Sequence, residues 1–101
     1  MTNKPPVYLI FESEPKGDPN IYAPFAEIAA KELVAHGGEY LALGGRAEAL
    51  EGTPPKRVVI SKWASIEDVK RWYAAPTMRA VNEARQNFLN ARLFIVEGTA
   101  E

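Results

Sequence analysis

The sequence predicts an α+β domain in which two helices cover one face of a four-stranded antiparallel sheet. Short runs of strand-forming residues alternate with two longer stretches whose apolar residues recur at helical spacing, and proline or glycine marks nearly every boundary. The chain of 101 residues is long enough to bury one hydrophobic core and too short for two. We therefore expect a single domain over residues 1–101, with its core within residues 7–98.

The first strand is predicted over Val7 to Ser13, a short apolar run with proline on both sides. A helix is predicted to start at Asp18-Pro19, because the Asp18 carboxylate can cap it and Pro19 needs no N–H in the first turn. Pro24 also lacks an N–H and is expected to delay or bend this start. The helix should end at Gly37-Gly38, since glycine readily takes the positive φ of a C-terminal cap.

The apolar face of this first helix follows from a rotation of about 100° per residue. Its predicted members are Ile21, Phe25, Ile28, Ala29, Leu33 and His36. The second strand is predicted over Glu39 to Gly45. Alternation along it puts Leu41 and Leu43 on one face and Tyr40 and Ala42 on the other.

The third strand is predicted over Arg57 to Ala64 and the fourth over Leu93 to Glu97. Between them, Ser65 is expected to cap a helix that Ala75-Pro76 interrupts and that restarts near Thr77. The resulting order, β-α-β-β-α-β, is that of the ferredoxin-like fold, with both helices on one side of the sheet.

The sheet is predicted to be apolar on both faces, although two helices can cover only one. Successive residues of a strand point to opposite faces, and in three of the strands both sets are apolar. The opposing sets are Val7, Leu9 and Phe11 against Tyr8 and Ile10, Val59 and Trp63 against Val58 and Ile60, and Leu93 and Ile95 against Phe94 and Val96.

If one apolar face of the sheet were left in contact with water, its exposed apolar area would exceed the few hundred Å² that soluble monomers usually expose in one patch. Burying roughly 500 Å² more per subunit would contribute about 12 kcal/mol before the cost of association. The sequence therefore predicts a homodimer in which two sheets pack face to face about a two-fold axis. The alternative is that termini and loops partly cover these short strands.

Composition excludes several classes of function. With no cysteine, the chain has no disulfide, thiolate nucleophile or sulfur-ligated metal, and one histidine with two aspartates does not make a metal site. Twelve basic and 13 acidic residues leave a net charge of −1, which gives no footprint for nucleic acid or an acidic membrane surface. No apolar run reaches the roughly 20 residues of a membrane span, and Met1 to Pro6 lacks a signal-peptide core. We expect a soluble cytoplasmic protein without a cofactor.

An RNA-binding module is a further alternative, because RNA-recognition domains share the predicted element order. Their third strand carries rings on which bases stack. Here that strand reads Arg57-Val-Val-Ile-Ser-Lys-Trp63, with aliphatic residues at those places. The sequence therefore disfavours RNA binding.

Several segments resemble a known family: His36 to Gly45, Leu50 to Gly52, Arg57 to Ile60, Trp72-Tyr73 before Pro76, Arg85 and Glu97-Gly98. Together they are similar to the domain-of-unknown-function family numbered thirteen-thirty, of the dimeric α+β barrel superfamily. The resemblance covers nearly the whole chain and implies a ferredoxin-like fold and a homodimer whose sheets form a shared barrel. It implies no reaction, although the superfamily includes cofactor-independent monooxygenases, haem-handling enzymes and a lactone isomerase. His36 and Lys62 depart from the family pattern, so no role is carried over to them.

Functional residues are expected where polar groups interrupt apolar helix faces. Glu32 and His36 lie four residues apart on the first helix, a spacing at which a hydrogen bond would suit His36 as a general base. Alternatively, His36 sits at the protein edge, where the helix dipole favours it. Arg85, on an apolar stripe, could clamp an anion or enolate in a pocket between helices and sheet, and Arg92 could do the same.

Arg85 also has a structural interpretation, an internal salt bridge to Glu32, Glu51 or Glu97 or a side chain that snorkels at the rim. The aromatic residues Tyr40, Trp63, Trp72 and Tyr73 are of a kind found more often in a core or a dimer interface than stacked on a ligand. Arg46 follows two glycines that allow close backbone approach. The candidate ligand-binding residues are Glu32, His36, Tyr40, Arg46, Trp63, Tyr73 and Arg85, with His36 and Arg85 as catalytic candidates.

Two functional hypotheses follow. In the first, the protein binds or converts a small organic molecule, with a cofactor-free reaction on a carbonyl or phenolic substrate in a pocket polarised by Arg85, His36 and Tyr40. In the second, it is a non-catalytic structural or regulatory homodimer whose charges form internal salt bridges. An open pocket favours the first hypothesis, and an Arg85–carboxylate pair favours the second.

Overall fold

The structure, a computed structural model, describes residues 4–100. The predicted domain bounds, residues 1 and 101, lie outside this range. The elements are strand β1 (Val7–Pro15), helix α1 (Ala23–Ala35), strands β2 (Glu39–Leu43) and β3 (Arg57–Trp63), helices α2 (Ile66–Ala74) and α3 (Arg79–Phe88), and strand β4 (Leu89–Glu97). A single 3-10 turn, Pro76–Met78, joins α2 to α3. The predicted order is confirmed, with its second helix divided at the proline.

The four strands form one antiparallel sheet in the order β2-β3-β1-β4. This is the ferredoxin-like arrangement that the sequence predicts. The Cα atoms span 49 × 39 × 16 Å, so the molecule is two layers thick. Within residues 4–100, one face of the sheet carries the helices and the other carries none.

The hydrophobic core lies between the helices and one face of the sheet. On this face Leu9 of β1 is opposite Ser61 of β3 and Ile95 of β4. The rings of Trp63 and Trp72 meet at a centroid distance of 5.7 Å, tilted by 53°. The buried members of this cluster are Val7, Leu9, Leu33, Trp63, Val69, Trp72, Met78 and Val81.

The opposite face, here called the open face, is apolar at its centre, as alternation along the strands predicts. Ile10 is opposite both Ile60 and Phe94, and the neighbouring pair along β1 and β4 is Tyr8 with Val96. Phe94 is 37 % exposed and Val96 is 47 % exposed. The fold itself therefore leaves large apolar side chains in contact with water.

The predicted C-terminal end of the first helix at Gly37-Gly38 and the predicted start of the second helix at Ser65 are both confirmed. Gly37 has a φ of 97°, and the Gly38 N–H donates to the carbonyl of Leu33 at 2.9 Å. These are the features of a glycine C-cap. The Ser65 hydroxyl accepts from the N–H of Asp68 at 3.2 Å, which satisfies one of the free donors in the first turn of α2.

The predicted start of α1 at Asp18-Pro19 is wrong, because α1 begins at Ala23. A helix from Pro19 would need an N–H at Pro24 to reach the carbonyl of Asn20, and proline has none. With α1 starting at Ala23, Pro24 lies in the first turn, where that N–H is not required. Asp18 instead closes a local turn, in which its carboxylate accepts from the N–H of Asn20 at 2.9 Å.

The predicted faces of β2 are also wrong, because the strand contains an irregularity between Tyr40 and Ala42. One residue is extra at this point, so Tyr40 and Leu43 both pair with β3 residues of the helix-covered face, Ser61 and Val59. β2 ends at Leu43, short of the predicted Gly45.

The fourth strand starts at Leu89, four residues before its predicted start, because α3 continues into β4 without a loop. Its early residues pair with the far end of β1, where Pro15 is opposite Leu89. The third strand ends at Trp63, one residue before the prediction. Within residues 4–100, no helix combines the length and the hydrophobicity needed to cross a bilayer.

Gly38→Ala should lower the free energy of unfolding by about 1–3 kcal/mol, because the core at this point has no room for one additional methyl group. The added Cβ would lie 2.5 Å from Leu33 Cδ2 and 2.8 Å from a ring carbon of Trp63. Urea unfolding followed by tryptophan fluorescence measures the change. Gly45→Ala is the matched control, since a Cβ there meets nothing within 4 Å. Equal stability of the two variants would contradict the packing at Gly38.

Candidate functional site

A hollow of about 540 Å³, here called the α1 cavity, lies between helix α1 and the sheet. The helix contributes Ala23, Ala26, Ala29 and Ala30 to its lining. A methyl group is too short to fill the distance between a helix axis and a sheet, so this row of alanines leaves the space empty. The cavity is therefore a direct consequence of the composition of α1.

The walls of the α1 cavity are mostly apolar and unusually aromatic. The sheet contributes Leu9, Phe11 and Leu93, and Trp72 of α2 closes the inner side. Tyr22, just before α1, stacks on Phe25 at a centroid distance of 6.3 Å and adds a further ring to the lining. Apolar walls with a few polar groups are typical of small-molecule sites.

The polar lining of the α1 cavity is predominantly cationic. It comprises Arg57, Arg85, Glu27, Tyr22, Tyr40, Ser13 and Ser61. The Ser61 hydroxyl is engaged, because it accepts from Nε1 of Trp63 at 2.9 Å. Two guanidinium groups therefore face the space against a single carboxylate, that of Glu27 on the exposed side of α1.

Arg85 is held in the wall by the buried face of α3. Val81, one helical turn earlier, is fully buried, and Ala84 is 4 % exposed. Arg85 itself is only 7 % exposed, and its Cζ lies 5.8 Å from the centre of the Phe11 ring. A cation over an aromatic face is stabilised by about 0.5–2 kcal/mol, which offsets only part of the cost of burying a charge.

No carboxylate pairs with Arg85 within residues 4–100. The carboxylate contacts with basic side chains found there join Glu32 to His36, Glu48 to Arg46 and Asp68 to Arg71. Of the three partners considered for Arg85, Glu32 is thus occupied elsewhere, and Glu51 and Glu97 are exposed. The internal salt bridge of the structural interpretation is not formed.

Arg57 reaches the other side of the α1 cavity from the first position of β3. It lies on the same face as Val59 and Ser61, because alternate residues of a strand share a face. Its guanidinium packs on Gly44, where an added Cβ would lie 2.6 Å from Cζ. Gly44 also has a φ of 71°, so glycine here serves both the turn and the close approach.

Tyr40 places a phenol in the α1 cavity close to these groups. Burial raises the pKa of Tyr40 above its usual value of 10.0, the neighbouring Tyr22 raises it further, and Arg57 opposes the shift. The phenol therefore stays protonated at neutral pH and can donate a hydrogen bond to a ligand oxygen.

Glu32 and His36 lie outside the α1 cavity. Nδ1 of His36 donates to the carbonyl of Glu32 at 2.8 Å and lies 3.7 Å from its carboxylate, and both side chains are about a quarter exposed. The predicted apolar sector was set partly by Ile21, which precedes α1, and by Ile28, which is 42 % exposed. The face of α1 turned to the core is centred instead on Leu33, so the two polar residues fall on its flank.

The other candidates are dispersed. Arg46 is in the exposed β2–β3 loop, where it pairs with Glu48 at 3.3 Å. Trp63 is a core residue, 2 % exposed, and does not line the α1 cavity. Arg92 lies on the open face, with its Cζ 5.1 Å from the centre of the Phe94 ring.

Tyr73 lines a second cavity of about 530 Å³, bounded by α2, α3 and β4. The two cavities share Leu9, Trp72, Leu93 and Arg85 as common wall. Arg85 therefore stands at the boundary between them. Within residues 4–100, no three histidine or acidic side chains come together as a metal site would require.

The structure thus brings together two of the candidate residues, Tyr40 and Arg85, and adds others that sequence reasoning missed. Arg57 carried a usable signal, because its alternation with Val59 already put it on the helix-covered face. Tyr22 carried none, since it precedes a helix whose start was misplaced.

Arg85→Met should raise the free energy of unfolding of the ligand-free protein by about 1–2 kcal/mol, because an apolar side chain of similar length removes an unpaired buried charge. Thermal and urea unfolding measure the change. Arg79→Met, at an exposed position of α3, is the control and should stay within about 0.5 kcal/mol of the parent. A marked loss of stability in the Arg85 variant alone would mean that the guanidinium makes a structural contact.

Comparison with solved structures finds the same fold in several proteins. A protein of unknown function from Rhodopseudomonas palustris superposes with a TM-score of 0.77 at 16 % identity, over 99 % of this chain and 87 % of that one. SnoaB, a cofactor-independent oxygenase from Streptomyces nogalater, gives a TM-score of 0.68 at 15 % identity, over 96 % and 94 % of the two chains.

A dimeric protein of unknown function and ferredoxin-like fold from Bacteroides fragilis gives a TM-score of 0.54 at 13 % identity, over 94 % of this chain and 98 % of that one. Identities this low establish the fold alone. No curated protein matches the chain. At the level of sequence families, the model described as a domain of unknown function (DUF1330) matches residues 6–99, and this chain therefore belongs to that family.

Proposed function

We propose that this protein binds a small, largely apolar organic molecule in the α1 cavity. The observation that carries the proposal is Arg85, a buried residue with no carboxylate partner within residues 4–100, in the wall of a mostly apolar hollow of about 540 Å³. That volume is within the range of small-molecule sites, roughly 300–1,000 Å³.

The same observation favours ligand binding over the purely structural hypothesis. A structural role predicts a closed core and an Arg85–carboxylate pair, and within residues 4–100 neither is present. The guanidinium groups and the Tyr40 phenol are also the donors that would polarise a carbonyl or phenolic oxygen. A cofactor-free conversion of such a ligand is compatible with this site.

Ala30→Trp should weaken the binding of a neutral apolar probe such as Nile red by about tenfold or more, because the indole fills the α1 cavity. Fluorescence titration of the parent and the variant measures the two affinities. Ala35→Trp is the matched control, since Ala35 is exposed on the same helix and does not line the cavity. Probe binding that is unchanged in the Ala30 variant would rule out the α1 cavity as the site.

We further propose that the protein is a homodimer that buries the open face. Ile10, Ile60 and Phe94 lie at the centre of this face, and a second copy would cover them with the same apolar surface. A flat sheet face is self-complementary under a two-fold axis, and the Bacteroides fragilis protein of the same fold is described as dimeric.

The cytoplasmic location stays a prediction from the sequence.

Ile10→Lys should convert the dimer to a monomer, because the variant would bury an unpaired charge in the centre of the interface. Sedimentation equilibrium at micromolar concentration should give the parent a mass twice the 11.2 kDa of one chain and give the variant the mass of one chain. Leu50→Lys, at a fully exposed loop position, should leave the dimer intact. A parent protein that sediments as a monomer would contradict the proposed interface.

A further inference from the structure

The environment of Arg85 indicates that the ligand carries a negative charge. Arg85 is 7 % exposed as a residue, lines the α1 cavity and places its Cζ 5.8 Å from the centre of the Phe11 ring, and no carboxylate within residues 4–100 pairs with it. Arginine remains protonated at any physiological pH, so it cannot relieve the cost of burial by losing its proton. An anion brought in by a ligand would supply the charge that the protein omits.

The other residues of the lining indicate the shape and the polarity of the ligand that carries this negative charge. The Phe11 ring lies beside the guanidinium, and Trp72 lines the same cavity and donates from Nε1 to the carbonyl of Ala29 at 3.3 Å. The alanines of α1 form the facing wall. A slot between a helix of small residues and a row of rings accepts a flat apolar body better than a branched or polar one. The ligand is therefore expected to be planar and apolar except at one end.

The remaining lining charges do not oppose this assignment. Arg57 and Glu27 are of opposite sign and both are exposed, so Arg85 is the buried charge of the lining. The Tyr40 phenol, whose pKa burial raises, can donate to an oxygen and carries no competing negative charge. The lining thus offers donors to an oxyanion from more than one direction.

We infer that the ligand of the α1 cavity is a flat apolar carboxylate, such as an aromatic acid, whose carboxylate pairs with Arg85. The inference rests on the proposed function and narrows it to one class of molecule. The carboxylate takes the place of an internal salt bridge, which Arg85 does not form with any residue of the described range 4–100, in the bidentate geometry that arginine favours. The planar body occupies the space under Ala26, Ala29 and Ala30.

Calorimetric titration with 2-naphthoate and 2-naphthamide tests the inference, because the two have the same body and differ in charge. The parent protein should bind 2-naphthoate at least about tenfold more tightly than the amide. Acetate, which has the carboxylate without the body, should bind far more weakly than 2-naphthoate. Equal affinity for the acid and the amide in the parent protein would overturn the inference without recourse to any variant.

Variants test which residues contact the carboxylate of the ligand and which contact its ring system. Arg85→Met should abolish the preference for the acid, Arg85→Lys should restore it in part, and the exposed control Arg79→Met should leave it unchanged. Ala30→Trp should weaken the binding of 2-naphthoate. Ala74→Trp, which fills the second cavity, should leave that binding unchanged. A preference for the acid that survives Arg85→Met would also overturn the inference.

The two proposals fail separately. If Nile red binds in the α1 cavity but 2-naphthoate has no advantage over the amide, the carboxylate assignment is wrong and small-molecule binding stands. If neither the dye nor the two naphthalene compounds bind the parent protein, both proposals are wrong.

Discussion

The candidate site depends on one constraint: Arg85 is a buried residue, and no carboxylate in the described part of the chain, residues 4–100, pairs with it. Val81 and Ala84 are buried on the same side of α3, so the helix cannot rotate to carry Arg85 into water without exposing them. Phe11 stabilises the cation only in part. Residues that lower the stability of a fold in this way are characteristic of functional sites, where ligand binding offsets the cost.

Helix α1 both completes the core and leaves room beside it. Near its C-terminal end Leu33 packs in the core cluster, and Nε1 of Trp72 donates to the carbonyl of Ala29 at 3.3 Å. Phe25 packs against both core clusters and anchors the first turns of α1, whereas Ala23, Ala26 and Ala30 bring only methyl groups to the α1 cavity. A helix anchored by Phe25 and Leu33, with alanines at the intervening lining positions, leaves a cavity beside the core.

Much of the fold could be predicted from the sequence because its signals are local. Alternation along β1, β3 and β4 separates the two faces of the sheet without knowledge of their partners, and the caps at Gly37 and Ser65 depend on neighbouring residues only. The faces of β2 could not be predicted, because the extra residue at Leu41 is a property of pairing with β3.

The candidate site was predictable only in part, for a related reason. Arg85 stands out in sequence as a charge on an apolar stripe, and its burial follows the pattern. The flank position of His36 depends on where α1 begins, and Pro24 moves that point by several residues. The cavity itself has no sequence signal beyond a run of small residues, since a row of alanines can equally well permit close packing against another helix.

A crystal structure of the protein with 2-naphthoate tests the central claim most directly. The carboxylate oxygens should lie about 2.7–2.9 Å from the guanidinium nitrogens of Arg85, with the rings between Phe11 and the alanines of α1. An Arg85 side chain paired with a carboxylate of its own chain, and an α1 cavity without the ligand, would contradict it.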